Sequence, residues 1–243
     1  MGNKGLTGKF NFIVPNIVSS FVEGEDAEAL YDEVRKTIKS GVWYDSDSKT
    51  MTGSHTFLAA RVDSIVRQLG KGIRVATLAD LSRPEVMEMV KGRHYSDTPA
   101  MVLRTMEDSY EPNNALIRKL APLVEQKNGR LQLPVLVTGF DVVPSEDKNG
   151  YGLDIVPRED FAVLHDKRFL DNEKNFSTVN ENGLPNFDRK GNRTWYARSD
   201  GLSRLGLGGS LDLDSGCGDG YLAGSGEDGR VVLVRDLQVE NKK

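Results

Sequence analysis

The sequence predicts an α+β fold with small antiparallel sheets and two main helices. Short apolar segments of strand character occur near both ends of the chain, and two segments with helical apolar spacing follow the first of them. Because the remaining strand segments follow the helices instead of alternating with them, the order favours α+β over a parallel α/β sheet. No break in composition marks a linker, so we expect a single domain over residues 8–236.

The N-terminal elements follow from local apolar patterns and their boundary residues. Residues 10–14 alternate briefly and then continue apolar, which predicts a strand. A helix is expected to begin at Asp26 and to end at Gly41, and a second follows Ser54 and stops at Gly70. Both place their large apolar residues on one face, as the helices of a globular domain do.

Two further helices are predicted from weaker signals. Ser82 and Glu85 have the spacing of a capping box, which predicts a short helix over residues 84–90. Residues 114–126 have helical periodicity, although Pro122 weakens that prediction because proline lacks the backbone N–H that a helix interior needs.

The second half of the chain is predicted to contain strands. Residues 135–137 and 152–156 are apolar and are joined by a polar loop, whereas residues 166–193 are polar and turn-rich. Residues 231–234 are apolar without interruption, which indicates a buried central strand. We expect the first and last strands to pair and so to bring the chain ends together.

Composition and charge limit the function classes. The 243-residue chain has a net charge of -4 with both signs mixed, which argues against a nucleic-acid partner because such proteins carry a basic stripe. Its single cysteine, Cys217, excludes an intramolecular disulfide. No apolar run approaches the ~20 residues that span a bilayer, and residues 1–10 lack the apolar core of a signal peptide. We therefore expect a cytoplasmic protein that contacts no membrane, with export by another route left open.

The most unusual feature is the segment 199–229, called the tract below. Of its 31 residues, 26 are Gly, Asp, Ser or Leu. Leu205 and Leu207, like Leu211 and Leu213, are spaced two apart, which places them on one face of a strand. Burial of such leucines contributes about 1.5–3 kcal/mol each, which a linker would not use. We interpret the tract as an apolar scaffold that presents small polar residues outward; a plain glycine-rich loop is the alternative.

Residues 192–198, the tract and residues 229–234 together resemble the C-terminal variable region of diversity-generating retroelement target proteins. The match is best to members from archaea and small uncultivated bacteria. Residues 139–157 and 182–185 also look like that group, and the resemblance covers roughly residues 73–234. It implies a C-type lectin-like fold related to formylglycine-generating enzymes, with residues 195–234 as the variable ligand-binding region.

The resemblance also implies which positions vary, because in that family an error-prone reverse transcriptase rewrites codons that contain adenine. Leucine codons without adenine stay fixed, and these would be Leu202, Leu205, Leu207, Leu211, Leu213 and Leu222. The diversified, ligand-binding positions would be Asp200, Arg204, Gly206, Gly208, Gly209, Asp212, Asp214, Gly216, Cys217, Gly218, Asp219, Tyr221, Gly224, Gly226 and Asp228. The implied partner is an unknown protein or other macromolecule, and no cofactor, metal or catalytic residue is expected.

The composition of the tract differs from that of a strong binder. Tyr221 is its one aromatic residue, whereas binding hot spots are usually rich in aromatic side chains. The aspartates of the tract suit a small or basic ligand, and an unselected variant is the other explanation.

Two alternative functions remain open. Residues 224–228 match part of a calcium-binding β-roll repeat, but Arg230 occupies a position that requires an apolar residue. Residues 212–216 begin like an EF-hand loop, but Ala223 stands where the bidentate Glu belongs.

The second alternative is a small enzyme. The chain's histidines are isolated in sequence and lack metal-ligand spacing, and a glycine-rich segment is a poor place to activate the thiol of Cys217. These histidines are His55, His94 and His165.

Overall fold

The computed structural model describes residues 19–70, 72–147, 149–215 and 221–235, and within these ranges it combines helices with one large and two small sheets. The broad α+β prediction is confirmed. The helices are α1 Ala27–Arg35, α2 Thr56–Arg67, α3 Leu78–Leu81, α4 Pro84–Val90 and α5 Glu111–Asn128. The strands are β1 Ser19–Phe21, β2 Trp43–Asp45, β3 Thr50–Thr52, β4 Ile73–Val75, β5 Ser96–Leu103, β6 Val135–Pro144, β7 Leu153–His165, β8 Lys174–Val179, β9 Pro185–Phe187, β10 Arg193–Ala197, β11 Leu202–Leu207, β12 Leu213–Ser215 and β13 Val232–Arg235.

The first and last described strands pair in a three-stranded antiparallel sheet of order β1-β13-β4. The predicted C-terminal strand is confirmed: β13 is the central strand, and Val232 and Val234 are almost fully buried. The strand predicted at residues 10–14 lies outside the described residues. The strand that pairs with β13 is β1, which begins at Ser19.

The large sheet has eight strands in the order β7-β6-β5-β11-β12-β10-β8-β9. Its neighbours are antiparallel except β10 and β12, which are parallel. The expectation of small sheets alone is therefore wrong. The reason is that β6 and β7 are long paired strands and that the polar segment 166–193 contains β8 and β9, which extend the sheet.

The predicted helices are present with different boundaries and caps. Helix α2 is capped by His55 instead of Ser54, and α5 continues through Pro122 to Asn128. The expectation of two main helices is wrong because α5 is the longest helix of the described chain. The capping box forms at Thr77 of α3 and not at the predicted Ser82.

Two apolar clusters lie on opposite faces of the large sheet. Strand β5 contributes Met101 to one cluster and Val102 to the other, and β11 likewise contributes Leu202 to the first and Leu205 to the second. The period-2 alternation of strands produces this division. Strand β11, which comprises residues 202–207 of the tract, is therefore a central strand of the molecule.

Among the helices of the described ranges, none combines the length and apolar character that crossing a bilayer requires.

Candidate ligand-binding surface

The leucine scaffold of the tract is confirmed at five of its six positions. The members with at most 1 % exposure are Leu202, Leu205, Leu207, Leu213 and Leu222. Leu211 differs: it has a positive φ of 69° and lies half-buried in a tight turn that its N–H closes by donating to the Gly208 carbonyl. The alternation fails at Leu211 because the turn between β11 and β12 interrupts the extended backbone.

A pocket of about 130 Å³ opens between β5, β11 and β12 and is called the β11 pocket below. Arg204 and Gly206 lie on the face of β11 opposite Leu205 and Leu207, and Asp214 of β12 pairs with Gly206. The residues that line the pocket are Tyr95, Ser96, Asp97, Arg204, Gly206, Leu207, Gly208 and Asp214. Three predicted ligand-binding positions of β11 and β12, namely Arg204, Gly206 and Asp214, therefore line the same pocket.

An irregularity in β5 shapes the β11 pocket. The pairing of β11 with β5 shifts register between Arg204 and Gly206, opposite the part of β5 that contains Pro99. Proline has no N–H for the ladder, so regular pairing breaks there. Thr98 compensates by donating its hydroxyl to the Leu205 carbonyl at 2.7 Å. Gly206 then pairs with Asp97, which brings this acidic residue to the pocket.

Asp97 is the acidic residue that sequence reasoning missed. It is 4 % exposed, and its Oδ1 lies 3.5 Å from Nε of Arg204. Its Oδ2 has no hydrogen-bond partner among the described residues. Burial raises the pKa of Asp97, partly opposed by Arg204 and by a hydrogen bond with Ser54, while the charge of Asp214 adds to the increase. Because Asp97 lies outside the tract, no pattern in the sequence marked it.

Loop residues 221–230 lie beside the β11 pocket and contact two of the residues that line it. Gly226 donates its N–H to the Tyr95 hydroxyl at 2.6 Å, and Arg204 donates from Nη1 to the Gly224 carbonyl at 2.7 Å. Asp228 is exposed, and its carbonyl lies 3.1 Å from Nδ1 of His94. These contacts join the predicted tract positions Gly224 and Gly226 to two residues that line the pocket, and they hold the loop in place beside it.

Two glycines that were expected to be interchangeable are sterically restricted. A Cβ at Gly206 would lie 2.6 Å from the carbonyl oxygen of Ser96, and one at Gly209 would lie 3.0 Å from that of His94. The backbone at Gly206 can accommodate no side chain without movement, which argues against free variation at this position. Gly208 meets only ordinary contacts and has room for a side chain.

Asp212 and Asp200 lie away from the β11 pocket. Asp212 accepts the backbone N–H of Thr194 at 2.6 Å and the hydroxyl of Ser210 at 2.8 Å, so its carboxylate joins β10 to the turn before β12. This structural task argues against free variation at Asp212. Asp200 lies beside Arg198 at the other end of β11, with 3.4 Å between carboxylate and guanidinium. The predicted positions Gly216, Cys217, Gly218 and Asp219 lie outside the described residues.

Tyr221 belongs to a tyrosine cluster that the sequence did not predict. Its ring centroid lies 5.9 Å from that of Tyr110 and 5.7 Å from that of Tyr151. The Tyr151 hydroxyl donates to Asn113 at 2.6 Å and accepts the N–H of Leu222 at 3.0 Å. Tyr221 itself is 37 % exposed. Two tyrosines from outside the tract therefore lie beside Tyr221, and the composition of the tract alone could not indicate them.

A larger cavity of about 570 Å³ lies on the other side of the sheet, and its lining includes Leu205. At its edge, fully buried Asp63 of α2 accepts hydrogen bonds from Nε of Arg67 and from the Val75 backbone N–H, each at 2.8 Å. Its carboxylate also lies 2.8 Å from Nη2 of Arg158. Asp63 and Arg67 are close neighbours on α2, whereas Arg158 comes from the distant strand β7, so only the fold reveals that Arg158 joins them.

The histidines occupy separate sites. His55 caps α2, His94 contacts Asp228, and Nδ1 of His165 lies 2.8 Å from the Pro134 carbonyl. In the part of the chain that the structure describes, no three His, Cys, Asp or Glu side chains come together as a metal site.

Comparison of the chain with protein-family models, with curated proteins and with solved structures gave no significant match. The functional interpretation therefore depends on the geometry of the surface itself. That geometry offers an acidic pocket on the buried strand β11, a loop of small residues beside the pocket, and an exposed tyrosine at the start of that loop. Such an arrangement can bind a ligand, because rigid elements hold its contact groups in place.

Proposed function

We propose that this protein is a ligand-binding, receptor-like protein whose recognition surface comprises the β11 pocket, loop residues 221–230 and the tyrosine cluster. The proposal depends on the separation of the tract's residues into buried leucines and positions that reach the surface. Its leucines are buried at 0–1 % exposure except Leu211, whereas Arg204, Gly208, Asp214 and Tyr221 reach the surface. A fixed scaffold with varied contact positions is the design of antibody-like recognition sites.

The proposal includes a C-type lectin-like domain in the cytoplasm and diversification of the tract by a retroelement. The pairing of β1 with β13 supports the first part, since terminal strands pair in that fold. The placement of the glycine-rich loop beside the exposed face of β11 supports a loop-borne ligand surface. The resemblance of the tract to retroelement variable regions supports diversification, with a protein or other macromolecule as partner.

Two matched display libraries test the recognition surface. The first randomises Gly208, Asp214, Tyr221 and Asp228, which have room or exposure. The second randomises an equal number of buried tract positions, namely Gly206, Leu207, Leu213 and Ser215. We expect the first library to yield folded clones and to give binders when selected against an unrelated folded protein such as lysozyme. The second should lose most folded clones, and equal performance of the two libraries would contradict the proposal.

The genomic locus tests diversification separately. We expect a reverse-transcriptase gene nearby and a near-repeat of the DNA that encodes the tract. In that repeat, the codons for Asp214 and Tyr221 should contain adenine, whereas the codon for Leu205 should be unchanged. A locus without such a repeat would exclude the retroelement and leave the binding surface to be judged by the libraries.

A further inference from the structure

The β11 pocket is lined by a buried acid, Asp97, one of whose carboxylate oxygens has no hydrogen-bond partner among the described residues. We propose that this pocket accepts a primary ammonium group of the kind that a lysine side chain of a partner protein carries. The inference deepens the function proposed above and rests on it, because it names the chemistry of the ligand at that same surface.

The first observation is that one carboxylate oxygen of Asp97 lacks a hydrogen-bond partner among the described residues. The residue is 4 % exposed and lines the pocket, and its Oδ2 lacks a hydrogen-bond partner among the described residues. Buried carboxylate oxygens are almost always hydrogen-bonded, because a buried oxygen without a hydrogen bond has lost its hydration without compensation. An N–H donor that enters the pocket would form a hydrogen bond with this oxygen, and a charged donor forms a stronger hydrogen bond than a neutral one.

The second observation is the charge of the pocket. Two carboxylates, Asp97 and Asp214, line it together with one guanidinium, that of Arg204. Arg204 is held in place by its ion pair with Asp97 and by its hydrogen bond to Gly224. The pocket therefore has a net negative charge when both acids are ionised, which favours a cation and disfavours an anion.

The third observation is the size and shape of the pocket. Its volume is about 130 Å³, which corresponds to roughly four water molecules at about 30 Å³ each. That space fits an ammonium group with a short aliphatic stem. Gly206 and Gly208 add no side chains to its walls, so the stem can pass along the strand. The compact ammonium group has three donors on one nitrogen, which suits two carboxylates better than the wide, planar guanidinium fork does.

Nuclear magnetic resonance titration tests the proposal with n-butylammonium chloride as the probe. Neutral n-butanol is the matched control for the aliphatic stem, and sodium chloride is the control for ionic strength. We expect the backbone amide signals of Gly206 and Gly208 to shift and saturate with the ammonium salt alone. Equal shifts with butanol, or none with the ammonium salt, would overturn the proposal. A stronger saturating response to calcium chloride would overturn it in favour of a metal site.

Variants locate the binding site. We expect Asp97→Asn and Asp214→Asn each to weaken ammonium binding at least tenfold. Asp32→Asn removes an exposed carboxylate of α1, outside the recognition surface, and should change the Kd less than twofold. If Asp97→Asn fails to fold, Asp214→Asn decides, and unchanged affinity in that variant refutes the assignment. If the ammonium probe fails while the first display library yields binders, only the ligand class is wrong; if both fail, the proposed function is wrong as well.

Discussion

At the scale of single residues, His55 combines a structural task with a strongly lowered pKa. It is 1 % exposed, and its Nδ1 accepts the N–H of Leu58 at 3.3 Å, which caps α2. Burial lowers the pKa of His55 from 6.5 to about 4, opposed by the nearby backbone of Ser40 and assisted by the charge of Arg204. The ring is therefore neutral in the folded protein at pH 7.

This shift makes the stability of the protein depend on pH. Between pH 6.5 and pH 4 the unfolded chain binds a proton at His55 and the folded chain does not, so the free energy of unfolding falls as the pH falls. The total loss is roughly 3 kcal/mol, from about 1.4 kcal/mol per pKa unit. Urea unfolding at pH 7 and pH 4.5 measures it. His55→Asn keeps a capping acceptor but does not titrate, so its loss should be smaller, and equal losses would contradict the assignment.

Gly206 provides a second test at the residue scale. A methyl group at Gly206 would lie 2.6 Å from the Ser96 carbonyl oxygen, whereas one at Gly208 would meet nothing closer than 3.6 Å. We expect Gly206→Ala to lower the free energy of unfolding by about 1–3 kcal/mol, as overpacking does, and Gly208→Ala to change it by less than about 0.5 kcal/mol. Chemical denaturation of both variants gives the comparison. Similar values for the two would show that the close approach of β11 to β5 is not restrictive.

At the scale of elements, residues 202–215 of the tract form strand β11, a turn and strand β12, and their leucines differ in burial. Leu205 is fully buried in the second apolar cluster, whereas Leu211 lies half-buried in the turn. We expect Leu205→Ala to cost about 2–5 kcal/mol and Leu211→Ala less than half as much, because only the first leaves a cavity in the core. Differential scanning calorimetry measures both. A larger effect at Leu211 would mean that the turn is packed more tightly than its exposure indicates.

At the scale of the whole molecule, the two apolar clusters share strands. Met101 and Val102 of β5 face opposite clusters, as do Leu202 and Leu205 of β11. A strand common to both clusters cannot leave one without disturbing the other. The molecule is therefore expected to unfold as one cooperative unit, which is also what the predicted single domain requires.

Tryptophan fluorescence can test this cooperativity. Trp195 is fully buried in the second cluster and Trp43 is 37 % exposed, so Trp43→Phe leaves one buried reporter. We expect its fluorescence transition in urea to coincide with the transition measured by far-ultraviolet circular dichroism. Separate midpoints would divide the chain into two units and refute the single-domain prediction.

What the sequence determined by itself was local and periodic. Helical spacing located α1 and α2, the uninterrupted apolar run located β13, and the period-2 leucines identified β11 as a buried strand. These features depend on neighbours along the chain, so the pattern of side chains is enough to indicate them.

The tertiary structure alone decided the extent of the large sheet and the composition of the candidate site. Asp97 of β5 and Tyr95, which precedes β5, lie more than a hundred positions before Arg204, and Tyr110 and Tyr151 reach Tyr221 from distant segments. It also separated the tract's glycines into those with room for a side chain and those without. The physical reason is that burial, charge balance and the close approach of backbone segments depend on which parts of the chain contact each other in space. Local patterns in this sequence do not indicate those long-range contacts.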